Sequence, residues 1–150
     1  MKPSELLNLT DKQKQKGVWL SGIKGEGEYK EWYSNGNLFI HSNREKGKRH
    51  GEYKKWYFDG SLREHSFWKN RKRHGEYKEW HNNGILEEHS FYKKGKRHGE
   101  YKRWWSDGVL YVHSNWKDDK LHGEYKRWES DSILEKHFIY KKGKLIERII

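Results

Sequence analysis

The string Gly-Glu-Tyr-Lys begins at positions 27, 51, 75, 99 and 123, always 24 residues apart. No other feature constrains the fold as strongly. A spacing that never slips means that each copy adds the same geometric step, which is the mark of an array in which each unit touches its neighbours. The unit reads G-E-Y-K-x-W-x-x-[ND]-G-x-L-x-x-H-S-x-x-x-x-G-K-R-H. It sets five repeats at 27–50, 51–74, 75–98, 99–122 and 123–146, preceded by an irregular capping segment, 1–26, and followed by an edge strand, 147–150.

Inside each unit two extended runs flank a turn signal. Asn35-Gly36, Asp59-Gly60, Asn83-Gly84 and Asp107-Gly108 read as two-residue hairpin loops, with Asp131-Ser132 as a weaker version. Lys46-Gly47, Lys94-Gly95 and Lys142-Gly143 mark the opposite turn, where Asn70-Arg71 and Asp118-Asp119 are poorer signals. The expected fold is all-β: an elongated, twisted, single-layer antiparallel meander of repeated hairpins, a solenoid of about 12 strands at ~4.8 Å spacing.

Two-residue loops at both ends fix a register. Tyr29 then faces Ser42, Ser42 faces Gly51, and Gly51 faces Trp68. Tyr33 meets Leu38, Tyr57 meets Leu62 and Trp105 meets Leu110 on that apolar face, unless a bulge swaps the faces beyond it. On the other face His41 falls between Lys30 and Glu52, His65 between Lys54 and Glu76, and His89 between Lys78 and Glu100. By period, Ile149 falls where the repeat places Tyr.

Composition agrees with a thin fold. Apolar residues make up 31% and charged residues 37%, against ~45–50% apolar in an ordinary globular domain. Nine Trp, ten Tyr and five Phe must therefore stand in for an aliphatic core. The recurring rings are Tyr29, Trp32, Tyr53, Trp56, Tyr77, Trp80, Tyr101, Trp104, Tyr125 and Trp128. There is no Cys, hence no disulfide or thiolate chemistry, and no apolar run long enough for a membrane helix. The first ten residues do not read as a secretion signal, so a cytoplasmic, soluble protein is expected.

These residues and their spacing resemble the MORN repeat, in the 24-residue YwqK-type variant of bacterial and giant amoebal virus proteins. The likeness covers roughly residues 27–146. It implies an open β array used for scaffolding or dimerisation, with phospholipid binding and antitoxin-like neutralisation as further roles in relatives. It brings no catalytic residue. His at 41, 65, 89, 113 and 137 departs from the usual polar residue of the family.

Equivalent His residues lie two strands apart, ~9.6 Å, too far to share one zinc ion. They read as cross-strand rungs, with a pH-sensitive row as the alternative. His50 with Glu52 lacks the asymmetric pocket that acid–base chemistry needs, and Ser42, Ser66, Ser90 and Ser114 read as small neighbours of Tyr rings. No enzyme activity, cofactor, metal or small-molecule substrate is expected.

A net charge of +11 directs attention to the Lys- and Arg-rich turns. Lys48, Arg49, Lys72, Arg73, Lys96, Arg97, Lys120 and Lys144 gather on one margin, readable as a solvated edge or as a non-specific site for nucleic acid or anionic lipid. Phe39, Ile40, Tyr111 and Val112 stand where other repeats carry charge, and with Ile149 and Ile150 they are candidate partner contacts. The first reading of function is a scaffold for a protein partner or for self-association. Polyanion binding is the second, and neutralisation of a toxin-like protein the third.

Overall fold

The computed structural model describes residues 17–150. The expectations for residues 1–16 lie outside the described residues. The strands are β1 (Val18–Trp19), β2 (Gly27–Trp32), β3 (Leu38–Glu45), β4 (Lys48–Trp56), β5 (Leu62–Lys69) and β6 (Lys72–Trp80). They continue as β7 (Leu86–Lys93), β8 (Lys96–Trp104), β9 (Leu110–Lys117), β10 (Lys120–Trp128), β11 (Leu134–Lys141) and β12 (Lys144–Arg148). The described structure is all-β, and the strands follow chain order in one open antiparallel sheet of successive hairpins. The chain divides into two compact units, one ending at Lys72 and one beginning at Arg73.

The Asx–Gly turn differs from the two-residue loop that the sequence suggests. Tyr57 N–H donates to Ser61 O (2.9 Å) and Gly60 N–H to Tyr57 O (3.0 Å), which closes a loop of Phe58, Asp59 and Gly60. Only Gly60 has positive φ, 90°, so this is a tight turn completed by a left-handed glycine. Asp59 contributes its carboxylate, which accepts from Ser61 N–H at 2.8 Å and from the Ser61 hydroxyl at 2.6 Å. The extra loop residue moves the partner of Leu: Trp32 pairs with Leu38, Trp56 with Leu62 and Trp104 with Leu110. The expected Tyr33–Leu38, Tyr57–Leu62 and Trp105–Leu110 pairs are corrected accordingly.

The opposite turn is the two-residue loop in every repeat. Lys46 and Gly47 have φ of 49° and 70°, Asn70 and Arg71 50° and 67°, and Asp118 and Asp119 51° and 64°. The pairs that looked weakest in sequence thus adopt the same mirror-image turn as Lys-Gly. The turn is held from outside: Arg71 N–H donates to Arg49 O (3.0 Å), Gly95 N–H to Arg73 O (2.8 Å) and Asp119 N–H to Arg97 O (3.1 Å).

A second departure lies at the glycine of Gly-Glu-Tyr-Lys. Arg44 pairs with Arg49, but Ser42 pairs with Tyr53 rather than with Gly51. His50, Gly51 and Glu52 together stand opposite Asn43, so the strand bulges by two residues. The same shift separates Tyr92–Arg97 from Ser90–Tyr101 and Trp116–Leu121 from Ser114–Tyr125. Glycine is needed because the bulge bends the backbone to φ of 80° at Gly51, 110° at Gly99 and 102° at Gly123. In β12 Glu147 replaces that glycine. The shift there shrinks, Tyr140 pairing with Leu145 and Ile139 with Glu147, so Arg148 and not Ile149 faces Phe138.

The buried layer is thin. Among the described residues only Tyr53, Tyr77, Tyr101 and the serines 42, 66, 90 and 114 are buried. Tyr53 meets Trp68 edge-on at 6.2 Å, and Tyr101 meets Trp116 likewise at 6.2 Å. The serines are more than spacers. Trp68 Nε1–H donates to Ser66 Oγ, which donates to Glu64 Oε1, both at 2.9 Å. In the fifth repeat Phe138 takes the serine place and stacks on Tyr125.

Candidate binding margins

The two sets of turns give the sheet two margins of different chemistry. At the basic margin Lys48, Lys72, Lys96, Lys120 and Lys144 are exposed, while Arg49, Arg73 and Arg97 are half-buried. The arginines lie over rings. Arg49 Cζ is 4.9 Å from the Tyr53 ring and 5.0 Å from Trp68. Arg73 sits 4.3 Å from Tyr77, and Arg97 lies 5.1 Å from Tyr101 and 5.0 Å from Trp116. A guanidinium stacked this way is bound by the ring quadrupole and contributes packing as well as charge. Burial pushes the Tyr101 phenol well up, with Glu88 beside it adding to the effect. The residues grouped in sequence as one basic row therefore split into solvent-facing lysines and ring-clamping arginines.

Each unit has a recess on this margin. In the first, Arg44, Gly47, Arg49, Trp68 and Arg71 line a volume of about 410 Å³. In the second, Lys96, Lys117, Asp118, Lys120, His122 and Lys142 line about 280 Å³. Sequence reasoning missed Arg44 as a site residue. Its only signal was that it stands where later repeats carry Trp68, Tyr92, Trp116 and Tyr140.

The Asx–Gly margin is apolar in places. Phe58, in its loop, is 56% exposed, and Trp105, the residue that closes the loop of 106–108, is 43% exposed. Of the candidate contacts, Tyr111 lies against Trp105, and Phe39 is joined to Phe58 through Tyr33. Tyr33 sits 4.7 Å from Phe39 and 5.3 Å from Phe58, and Trp105 stacks on Tyr111 at 4.1 Å. Ile40 and Val112 lie next to charged partners, Lys55 for the first and Arg103 for the second. Ile149 and Ile150 are exposed. At this margin Asn35 Nδ2–H donates to Phe58 O and Asn83 Nδ2–H to Ser106 O, both at 2.7 Å, each tying its turn to the following one.

On the second face the Lys–His–Glu ladder is present with a changed partner. His41 pairs with Lys30 on one side and Lys54 on the other, because the two-residue bulge moves Glu52 away. Each imidazole instead meets the glutamate of its own repeat: His65 Nε2 to Glu52 Oε1 at 2.9 Å, His89 to Glu76 at 2.8 Å and His113 to Glu100 at 3.0 Å. His41 and His137 approach Glu28 and Glu124 at 2.7 and 3.3 Å without hydrogen-bond alignment. Lys54 donates to Glu52 and, with His65, holds that carboxyl below the ordinary range. Among the described residues no cluster of three or more His, Asp or Glu could hold a metal ion. Nor is any helix there long and apolar enough to cross a membrane.

This is the architecture of a hairpin-repeat protein, with a periodic surface on each face. The chain belongs to the MORN family: the model of the MORN repeat variant matches 25–45, 49–70, 73–94 and 97–118, more than half of the sequence. No functionally curated protein matches the sequence. Among solved structures, that of TarM is similar over 99% of this chain and 24% of its own, at 10% identity and a TM-score of 0.36. The chain thus spans about a quarter of that protein's length, and a likeness so distant bears on neither activity nor partners.

Proposed function

We propose that this chain is a non-catalytic scaffold that holds a protein partner along its Asx–Gly margin. The observation that carries this reading is the pair of aromatic clusters there, Tyr33–Phe39–Phe58 in the first unit and Trp105–Tyr111 in the second. Each cluster anchors a rigid ring and leaves its outer member exposed, as binding hot spots require. MORN membership is consistent with a scaffold or binding role. A cytoplasmic toxin-like protein, or a second copy of the chain, would be one such partner.

The test is photo-crosslinking with a benzophenone amino acid at position 58 or 105, and at position 96 as the control. Protein adducts specific to 58 and 105 are expected. Adducts confined to position 96 and to nucleic acid or lipid would overturn the reading.

A second reading, polyanion binding by the basic margin, is favoured by the four lysines around the recess of the second unit. Binding of that kind weakens steeply as salt rises, whereas ring-mediated protein binding does not.

A further inference from the structure

Two of the departures from the repeat pattern in the first unit bring a guanidinium to the same place. Arg44 occupies a position held by Trp or Tyr in the other four repeats. Arg71 occupies the second place of the mirror-image turn, where Gly47, Gly95 and Gly143 stand in three of the other four. Together with Arg49 they line the recess of about 410 Å³ against Trp68 and Gly47.

Arg44 Cζ lies 5.4 Å from the Trp19 ring, but both substitutions also carry a cost. Arg44 stands directly opposite Arg49 across the β3–β4 pair, and like charges so placed destabilise a sheet. The matching pairs elsewhere are Tyr92–Arg97, Trp116–Leu121 and Tyr140–Leu145. Arg71 is held at φ 67°, a left-handed conformation that costs any residue with a Cβ. Arg44 Nε is buried with no hydrogen-bond partner. No carboxylate lines the recess, in contrast to the lysine recess of the second unit, which includes Asp118. Repulsion, strain and an unsatisfied donor in one spot are the features a functional site tolerates.

We infer that this recess is a discrete site for a phosphate dianion carried by a small soluble molecule. Three guanidinium groups match the charge and peripheral oxygens of a phosphomonoester, since each presents a planar fork of donors to neighbouring oxygens. A volume of this size takes a phosphate with a small carrier, for which Trp68 supplies a flat wall. The inference does not rest on the scaffold reading.

The test uses the full chain, with inorganic phosphate and AMP as probes in calorimetry. Saturable binding of about one equivalent is expected for both, the stoichiometry of a single built site. Arg44→Trp and Arg71→Gly install residues that other repeats carry at the same places, so both variants fold. Each should weaken binding about tenfold or more through the lost charge-assisted bonds. Arg71→Gly should also melt higher than the unsubstituted chain without ligand, because strain at φ 67° is removed. Lys96→Ala and Lys120→Ala should leave the affinity unchanged.

Four results would overturn the inference: no saturable binding, many equivalents per chain, equal loss in the lysine variants, or unchanged affinity in both arginine variants. Binding only to phosphatidylcholine vesicles containing phosphatidylinositol phosphate, with neither soluble probe bound, would overturn it as well.

Discussion

Nε2 of His65 lies 2.9 Å from Oε1 of Glu52, the carboxylate of its own repeat. The pairing is set by two local events: the hairpin register that puts His65 opposite Lys54, and the bulge that moves Glu52 out of the next register. Lys54 reaches the same oxygen at 2.8 Å. The result is a three-member rung, and it sets the acid response of the fold.

In Glu52, Glu76 and Glu100 the hydrogen bond from Lys54, Lys78 or Lys102 is the main cause of a lowered pKa. Partial burial opposes it and the histidine adds to it. For Glu28 burial is the largest single influence and acts upward, but Lys30 and His41 together outweigh it. A carboxyl with a lowered folded pKa binds its proton less readily folded than unfolded. Its stabilisation is therefore full above the ordinary glutamate value of about 4.3, and is lost as pH falls through the folded value below it. Thermal melts should stay level down to about pH 5 and drop steeply towards about pH 3. Glu76→Gln should shrink that drop, and a drop of the same size in this variant would count against the rung.

The stacked arginines give a second prediction. Arg97 is held between the rings of Tyr101 and Trp116, while Lys96 beside it is exposed. Arg97→Glu should cost about 1–2 kcal/mol, the sum of two partly exposed cation–π contacts. Lys96→Glu should change stability by less than about 0.5 kcal/mol. Equal effects in urea unfolding would show that the two residues share one role.

What was legible follows from what a period can encode. Strand count, the Asx–Gly and Lys-Gly bends, and the Tyr–Ser and Gly51–Trp68 pairs depend on the spacing, and they stand. The bulge at Gly51 was hidden because a glycine opposite a ring is equally sensible in a straight ladder. The length of the turn at Asp59-Gly60 is not encoded locally, because Asx-Gly serves both two- and three-residue loops. Arg44 escaped notice because a consensus suppresses the positions that break it. The roles of Arg49 and Arg97 could not be read from charge, since stacking depends on where a ring lies across the strand.

Backbone geometry separates two glycines four residues apart. Gly51 carries the bulge at φ 80°, and a Cβ there would touch only Asn43 Cβ at 3.7 Å, so the cost of Gly51→Ala is conformational. That cost is about 1–2 kcal/mol. Gly47 has φ 70°, but the equivalent turn is built by Arg71 in the next repeat and by Asp119 in the fourth. Gly47→Asn should therefore be tolerated within about 0.5 kcal/mol, because Asn enters the left-handed region readily. Chemical denaturation of both variants checks the contrast, and similar losses in the two would mean that the bulge is no more demanding than the turn.

The Asx residues test how neighbouring repeats are coupled. Asn83 uses its oxygen inside its own turn, accepting from Ile85 N–H at 3.1 Å, and its nitrogen between repeats, donating to Ser106 O at 2.7 Å. Asn83→Asp keeps the first bond and removes the second. The cost should be about 1 kcal/mol, the net worth of one hydrogen bond. Asn35→Asp makes the same change in the first repeat, but there Asn37 Nδ2 also donates to Phe58 O at 2.9 Å and keeps that carbonyl satisfied. Its loss should be the smaller of the two. Amide exchange at the turn of residues 105–109 should quicken in Asn83→Asp, since the tie to the preceding repeat is gone while the turn's own bonds remain. Unchanged exchange there, with the same loss of stability, would place the effect within the turn of Asn83 and not between repeats.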